Sequence, residues 1–331
     1  MSDRLPVAVD AMGGDDAPGT VVDGARIAAE RFGVQALLVG DPDQLGDTGS
    51  LEIVPASEVV AMGAEPASSV RRLKDSSIVR AAEAVRDGRA SALLSAGNTG
   101  AAMAASLLRL GRIKGVSRPA IAVPFPVPGS TPTTVLDCGA NADCQPEWLV
   151  QFAVMGSVYA REQFDVAEPR IGLLTIGEEA GKGTTFIKDA AALLEATDWA
   201  AVGARYLGNV EGRDLMTGVA DVIVTDGFTG NIVLKSLEGG YAVFEQTVRA
   251  ALDAADGLEN RSEVEQLLDP VFAGFDARRT GAAMLLGTRG VSLISHGSSS
   301  AMTIAHAIHT ADQLVDIGMV DSIRQAVTPS P

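Results

Sequence analysis

LPVAVDAMGGDDAPGTVVDGARIAAERFGVQALLV, residues 5–39, holds the pattern on which the fold turns. Its first apolar run, Leu5–Val9, stops at Asp10 and a glycine-bearing turn. Pro18 stands where a helix can begin, and Val21–Arg31 reads as an amphipathic helix. A second apolar run, Val34–Val39, follows. Strand, polar turn, helix and strand again is the signature of a mainly parallel sheet covered on both faces.

The same order recurs along the chain. Further strands are expected at Ala92–Leu94, Ala120–Val123, Thr134–Leu136, Ile171–Ile176, Ala201–Leu207, Val222–Thr225 and Val291–Ile294. Helices are expected at Ser77–Arg86, Ala101–Leu110 and Phe186–Ala196. The fold class is therefore α/β, with three layers, α/β/α, and the chain is read as a single domain over 1–331. Loose segments are expected at Pro126–Pro132 and after Ala326. Ile232–Ala255 reads as one long helix, followed by an acidic, Gly-containing stretch and a second helical piece, Glu263–Phe272. That is more than a crossover needs, so residues 232–272 are expected to project as a dimerisation hairpin, with Gly239–Gly240 allowing close backbone approach.

Composition excludes several classes. A hydrophobic content of 47% with 21% charged residues rules out a disordered chain, and a net charge of −16 argues against nucleic-acid binding. Aromatic residues make up only 4%, and the small residues that replace them suit close helix–sheet contact. Cys138 and Cys144 fit neither a disulfide framework nor a zinc site, and they are expected to be thiols of a reducing cytoplasm. The N-terminus lacks the apolar core of a signal peptide, and no apolar run reaches the ~18 residues of a membrane span.

Polar, glycine-rich turns close most of the strands, and in a parallel sheet those turns carry the ligand site. They are expected to converge on one sheet edge. The first offers Asp10, Gly13 and Gly14; the next offers Ser95, Gly97, Asn98, Thr99 and Gly100, a phosphate-sized anion site. Asn141, Asn209, Asp226, Gly227 and His296 close later strands. Neither GxGxxG at the first turn nor a GxxxxGK[ST] loop is found, which disfavours a dinucleotide enzyme or an NTPase. No GxSxG elbow supplies a serine nucleophile. Asp10, Asp15 and Asp16 read as solvated turn carboxylates rather than metal ligands. Direct attack by a bound anion on an activated carbonyl is the economical chemistry.

Eight motifs then stand in order: VAVDAMGGDDAP from Val7, RRLKDSS from Arg71, LLSAGNTGA from Leu93, LDCGANADC from Leu136, GLLTIGEEAGKG from Gly172, GNVEGRDL from Gly208, VIVTDGFTGN from Val222 and SHGSS from Ser295. Together they resemble the PlsX family of bacterial phosphate acyltransferases. The resemblance implies a fold similar to phosphotransacetylase and the isocitrate dehydrogenase group, a homodimer, and no cofactor or catalytic metal. It implies transfer of a fatty acyl group from an acyl carrier protein thioester to inorganic phosphate. The acyl phosphate then passes to a membrane glycerol-3-phosphate acyltransferase for phospholipid synthesis. By that resemblance Lys182 and Asn231 are the catalytic candidates; for Asn231 a helix N-cap role is also compatible.

Arg71, Arg72 and Lys74, or alternatively Arg109, Arg112 and Lys114, are candidates for contact with the acidic carrier. The resemblance implies a cytoplasmic enzyme, peripheral at the inner face of the plasma membrane. At the hairpin tip, however, Asp253, Asp256, Glu259, Glu263, Glu265 and Asp269 outweigh Arg261, leaving apolar Val271, Phe272 and Phe275. Only weak membrane contact is expected there. A short-chain phosphotransacylase acting on coenzyme A thioesters and a non-catalytic phosphate-binding subunit are the alternative readings.

Overall fold

The computed structural model describes residues 4–255, 260–275 and 282–328, with backbone alone for 273–275. Among them, eleven strands form one sheet. They are β1 (Val7–Asp10), β2 (Ala36–Gly40), β3 (Glu52–Pro55), β4 (Ala92–Ser95), β5 (Ala120–Phe125), β6 (Thr133–Leu136), β7 (Arg170–Leu174), β8 (Arg205–Val210), β9 (Val222–Val224), β10 (Ala283–Leu286) and β11 (Val291–Ile294). The spatial order is β3-β2-β1-β4-β11-β10-β5-β6-β9-β7-β8.

The helices are α1 (Gly19–Ile27), α2 (Pro66–Arg72), α3 (Ser77–Arg86), α4 (Thr99–Ala105), α5 (Pro146–Phe164), α6 (Thr185–Glu195), α7 (Trp199–Val202), α8 (Gly227–Asp253), α9 (Arg261–Phe275), α10 (Ala301–Asp316) and α11 (Met319–Val327). Strand side chains alternate between two cores: Val7, Val9 and Leu94 join the core under α1, α5, α6, α10 and α11, while Ala8 and Leu93 join the core under α3, α4 and the start of α8. The result is the expected three-layer α/β/α arrangement.

Three local expectations need correction. Ala201–Leu207 is not one strand: Asp198 accepts from the Ala201 N–H at 3.3 Å and caps the short α7, left-handed Gly203 ends it, and the strand begins at Arg205. The strand from Ile171 stops at Leu174, leaving Ile176 83% exposed. Pattern reading missed β3, a mostly exposed edge strand, and β10, whose AMLL sequence lacks β-branched residues.

The larger correction concerns direction. The pairings β11–β10, β10–β5 and β5–β6 are antiparallel, and all the others are parallel. Three reversals leave β6, β9, β7 and β8 running opposite to β1, β4 and β11. The polar turns therefore lie on two edges, not one. What brings them together is the middle of the sheet, where α8 lies across the face.

α8 runs 27 residues, about 40 Å at 1.5 Å per residue. Val233, Leu234 and Leu237 pack on the sheet, and the rest of α8 extends past them. α9 folds back along it: Tyr241 Oη donates to the Phe272 carbonyl at 2.5 Å, Arg249 pairs with Asp269 at 3.0 Å, and the Phe244 and Phe272 rings meet edge-on at 6.3 Å. Asp256, Glu259 and the Phe275 side chain lie outside the described residues. Among the described residues no helix is long and apolar enough to cross a membrane.

Candidate active site

The first turn is built from below. β1, β4 and β11 end level, with Asp10 beside Ser95 and Ser95 beside Ile294. Asp10 is 4% exposed and accepts from Ser95 Oγ at 2.7 Å, and Ser95 Oγ in turn accepts from the Gly97 N–H at 3.1 Å. Burial pushes the Asp10 pKa up, and its hydrogen bonds oppose the rise. A Cβ on Gly13 would lie 2.7 Å from both Asp10 Oδ2 and Gly97 N, so two backbone segments touch here and only glycine fits. Asp10 and Gly13 line a small cavity of their own beneath the cleft, while Gly14 approaches Gly297. The Asp10 carboxylate thus holds the turn together.

Asn98 is also occupied. It caps α4 by accepting from the Ala101 N–H at 2.9 Å, and its Nδ2 donates to the Met62 carbonyl at 2.7 Å. Gly100 packs against Pro66. These contacts fix the Ala61–Ala64 turn and α2 beside the site. Gly97 and Thr99 are the members of this segment that face the cleft.

The opposite wall is the loop after β6. Asp137 is fully buried and takes four bonds: Oδ1 accepts from the Ile121 and Ala140 N–H groups at 3.0 and 2.9 Å, Oδ2 from Asn141 N and Nδ2 at 2.7 and 2.8 Å. Burial still raises its pKa. Asn141 also donates to the Pro119 carbonyl and accepts from the Gly227 N–H, each at 2.8 Å. The start of α8 seats directly on this loop. A Cβ on Gly230 would fall 1.9 Å from the Asp137 carbonyl oxygen, and one on Gly227 2.5 Å from the Asn141 carbonyl oxygen.

Asp226, not Asn231, is the N-cap of α8: it accepts from Thr229 N and Oγ1, both at 2.8 Å. Asn231 lies in the second turn beside Gly139, exposed to the cleft.

Between these walls lies a cleft of about 320 Å³ lined by Gly97, Thr99, Cys138, Asn231, Lys235 and His296 among others. His296 accepts the Ser298 N–H at Nδ1, at 3.2 Å, so the neutral ring carries its proton on Nε2. Lys235 pairs with Glu238 at 2.7 Å. Lys235 was not singled out from sequence, yet its signal was present: Asn231, Leu234, Lys235 and Glu238 stand at i, i+3, i+4 and i+7 on one helix face. Asp137 was likewise missed as an individual residue.

Cys138 reaches the cleft, but burial, then the nearby Asp137 and Glu238 carboxylates, push its thiol pKa well up. Cys144, half-buried, is pushed up to about 11, mainly by burial. Neither thiol is ionised near neutral pH. Among the described residues no group of His, Cys, Asp and Glu side chains could hold a metal ion.

Lys182 and Asn209 sit apart from the cleft. Lys182 belongs to the loop after β7 and Asn209 to the last residues of β8, on the edge that β9 also points to. Lys182 pairs with Glu179 at 3.8 Å, and Asn209 Nδ2 donates to the Glu179 carbonyl at 3.1 Å. Arg71, Arg72 and Lys74 are exposed at the C-terminal end of α2. Of the second basic cluster, Arg109 is committed to Glu83 at 3.1 Å and Arg112 to the Val116 and Ser117 carbonyls.

Comparison with known proteins joins this geometry to a lineage. A family model described as fatty acid synthesis protein matches residues 5–322. The chain belongs to that family, the PlsX family. Relatives in the family include the phosphate acyltransferase of Pelotomaculum thermopropionicum, 44% identical over 334 residues, covering 98% of this chain and 95% of that one. The phosphate acyltransferase of Nostoc punctiforme is 44% identical over 332 residues, covering 98% and 96%. Among solved structures, the EutD phosphotransacetylase from Staphylococcus aureus superposes with a TM-score of 0.61 at 15% identity, covering 94% of each chain. A branched-chain phosphotransacylase from Enterococcus faecalis gives 0.61 at 16%, covering 93% of this chain and 99% of that one. At such identities the likeness shows the PlsX chain's fold, as the motifs predicted.

Proposed function

We propose that this chain is a phosphate acyltransferase that moves a fatty acyl group from an acyl carrier protein thioester onto inorganic phosphate. The observation that carries the reading is the make-up of the cleft: Thr99, Asn231, His296 and the Lys235–Glu238 pair, with Asp15 at the rim, surround a thiol that stays protonated. Such a site can hold an anion and position it, but it offers no activated nucleophile of its own.

Phosphate is then the nucleophile. One of its oxygens forms a bond to the thioester carbonyl carbon, giving a tetrahedral intermediate. Collapse breaks the C–S bond; the sulfur leaves with the electron pair and takes up the proton that hydrogen phosphate carried, giving the carrier thiol. Holding phosphate against the carbonyl removes the entropic cost of a bimolecular encounter. Asn231 Nδ2 and the His296 Nε2–H serve the phosphate or the developing oxyanion, the term on which such catalysis mostly rests. Lys235 offsets the charge of phosphate. Lys182, on the loop Thr175–Thr184, joins by closure of that loop over the cleft.

Exposed Arg71, Arg72 and Lys74 meet the acidic carrier beside the cleft mouth. A homodimer forms through α8 and α9, whose Phe228, Ile232, Val243 and Leu267 are each at least 48% exposed. Changing Phe244 and Val248 to glutamate should yield monomer in light scattering; a wild type already monomeric at micromolar concentration refutes the dimer. The enzyme works in the cytoplasm and hands its labile product to a membrane glycerol-3-phosphate acyltransferase.

The deciding assay is acyl phosphate formation, trapped with hydroxylamine, from a carrier-protein thioester and the matching coenzyme A thioester, with and without phosphate. Phosphate-dependent product with the carrier substrate preferred is expected. Equal or better use of coenzyme A makes the chain a general phosphotransacylase. No turnover with either makes it a binding subunit.

A further inference from the structure

A second cavity, of about 620 Å³, opens from the first. The two share Leu234, Lys235, Glu238 and His296, so the larger space adjoins the cleft that holds Asn231 and Cys138. The larger space is the more apolar of the two. Phe125, Met216, Leu237 and Phe244 line it, with Gly239 and Gly240 along the helix that forms its wall.

The glycine pair is the informative feature. Glycine in a helix interior costs about 1 kcal/mol against alanine, and such a residue normally makes room for a close neighbour. Gly227 and Gly230 do so in this same helix. Gly239 and Gly240 do not: a Cβ on either would meet nothing within 4 Å. Among the described residues of this chain nothing fills the space beside them, although the dimer contact proposed above lies on the same helix.

We propose that this cavity holds the acyl chain of the substrate and that Gly239 and Gly240 set the length of chain it accepts. The proposal rests on the acyl-transfer reading, since it takes the thioester carbonyl to lie in the polar cleft. The scale fits: at roughly 30 Å³ for each water-sized group, the cavity has room for about 20 such groups, enough for a long acyl chain. An apolar body with a few polar groups at one end is also the usual make-up of a small-molecule site. The Lys235–Glu238 pair stands where the polar head gives way to the tail.

The test is Gly240→Leu, with Gly239→Leu as a second variant. Both raise helix propensity, which favours folding. Leucine fills the volume of about four chain carbons, and at about fourfold in binding per methylene the loss is on the order of 10²-fold. The ratio of kcat/KM for palmitoyl- over butyryl-carrier thioester should fall by that factor. A ratio within twofold of wild type in both variants overturns the proposal. So does a change in particle mass by light scattering, which would make the cavity a contact between subunits.

If the wild type transfers no acyl group from any thioester, the acyl-transfer reading fails, and binding of cis-parinaric acid still decides the cavity. Fluorescent binding that Gly240→Leu weakens at least tenfold upholds it. A wild type that binds none, or a variant that binds as wild type does, overturns it.

Discussion

Gly230→Ala places a single methyl group where the site is built. The new Cβ would fall 1.9 Å from the Asp137 carbonyl oxygen, and real Cβ contacts stay beyond 3.0 Å, so the start of α8 must retreat by about 1 Å. The carbonyl belongs to a loop that cannot easily yield, because the fully buried Asp137 carboxylate is held by four hydrogen bonds. The helix therefore moves, and Asn231 moves with it. Overpacking of this kind costs about 1–3 kcal/mol, or a few degrees in Tm for a chain of this size. A misplacement of about 1 Å costs on the order of 10²-fold in rate. The assay is kcat/KM for acyl transfer to phosphate alongside thermal unfolding by circular dichroism. Gly19→Ala is the control, since a Cβ there meets nothing within 4 Å; it should leave both quantities near wild type. A Gly230→Ala enzyme with wild-type Tm and kcat/KM would refute the claim that this contact positions Asn231.

Other outcomes follow from the same geometry. Asn231→Ala should lower kcat/KM by on the order of 10²-fold, the scale of losing one preorganised donor, and Lys182→Ala should do the same through kcat if its loop closes over the cleft. Near-full activity in both variants would move the chemistry elsewhere. Because burial raises both thiol pKa values, that of Cys144 to about 11, the reactive thiolate is scarce below that range and grows only as pH rises. Iodoacetamide at pH 7 should leave both cysteines unmodified by mass spectrometry, and no acyl-enzyme should accumulate during turnover; rapid labelling or a trapped acyl-Cys138 contradicts direct attack. At the hairpin tip Arg261 is bound to Asp253 and Glu265, and Arg249 to Asp269, leaving little positive charge for lipid. Co-sedimentation should be weak, and better with zwitterionic than with anionic liposomes at low salt. Tight anionic binding that salt abolishes would reverse that reading.

The sequence by itself determined what local pattern and ordered motifs can carry. Period and turn chemistry placed β1, β2, β4 and β11 to within a residue or two, and Ser77–Arg86 emerged as α3 unchanged. The motif order was enough to identify the family. These signals depend on a few neighbouring residues, so they survive without tertiary context.

Only the tertiary structure decided how the two halves of the sheet face each other. Hydrogen-bond pairing between distant strands sets direction, and no local pattern records that β10 pairs antiparallel with both β11 and β5 and β5 antiparallel with β6, so that β6 runs opposite to β11. That reversal places the Ser95–Thr99 and His296 turns across the sheet from Asn141 and Asp226, and makes the cleft a meeting of two edges. The same non-local contacts gave the residues their roles. Asp10, Asn98, Asn141 and Asp226 look like ligand groups in sequence, and the structure shows that each also bonds backbone or side chains that hold the walls in place. Lys235 looked like an ordinary helix lysine until the seating of α8 on the Asp137 loop turned its face toward the cleft. Glycines carry no side chain to reveal their purpose. Whether one closes a contact, as Gly230 does, or keeps a space open, as Gly240 does, depends on what another part of the chain puts beside it.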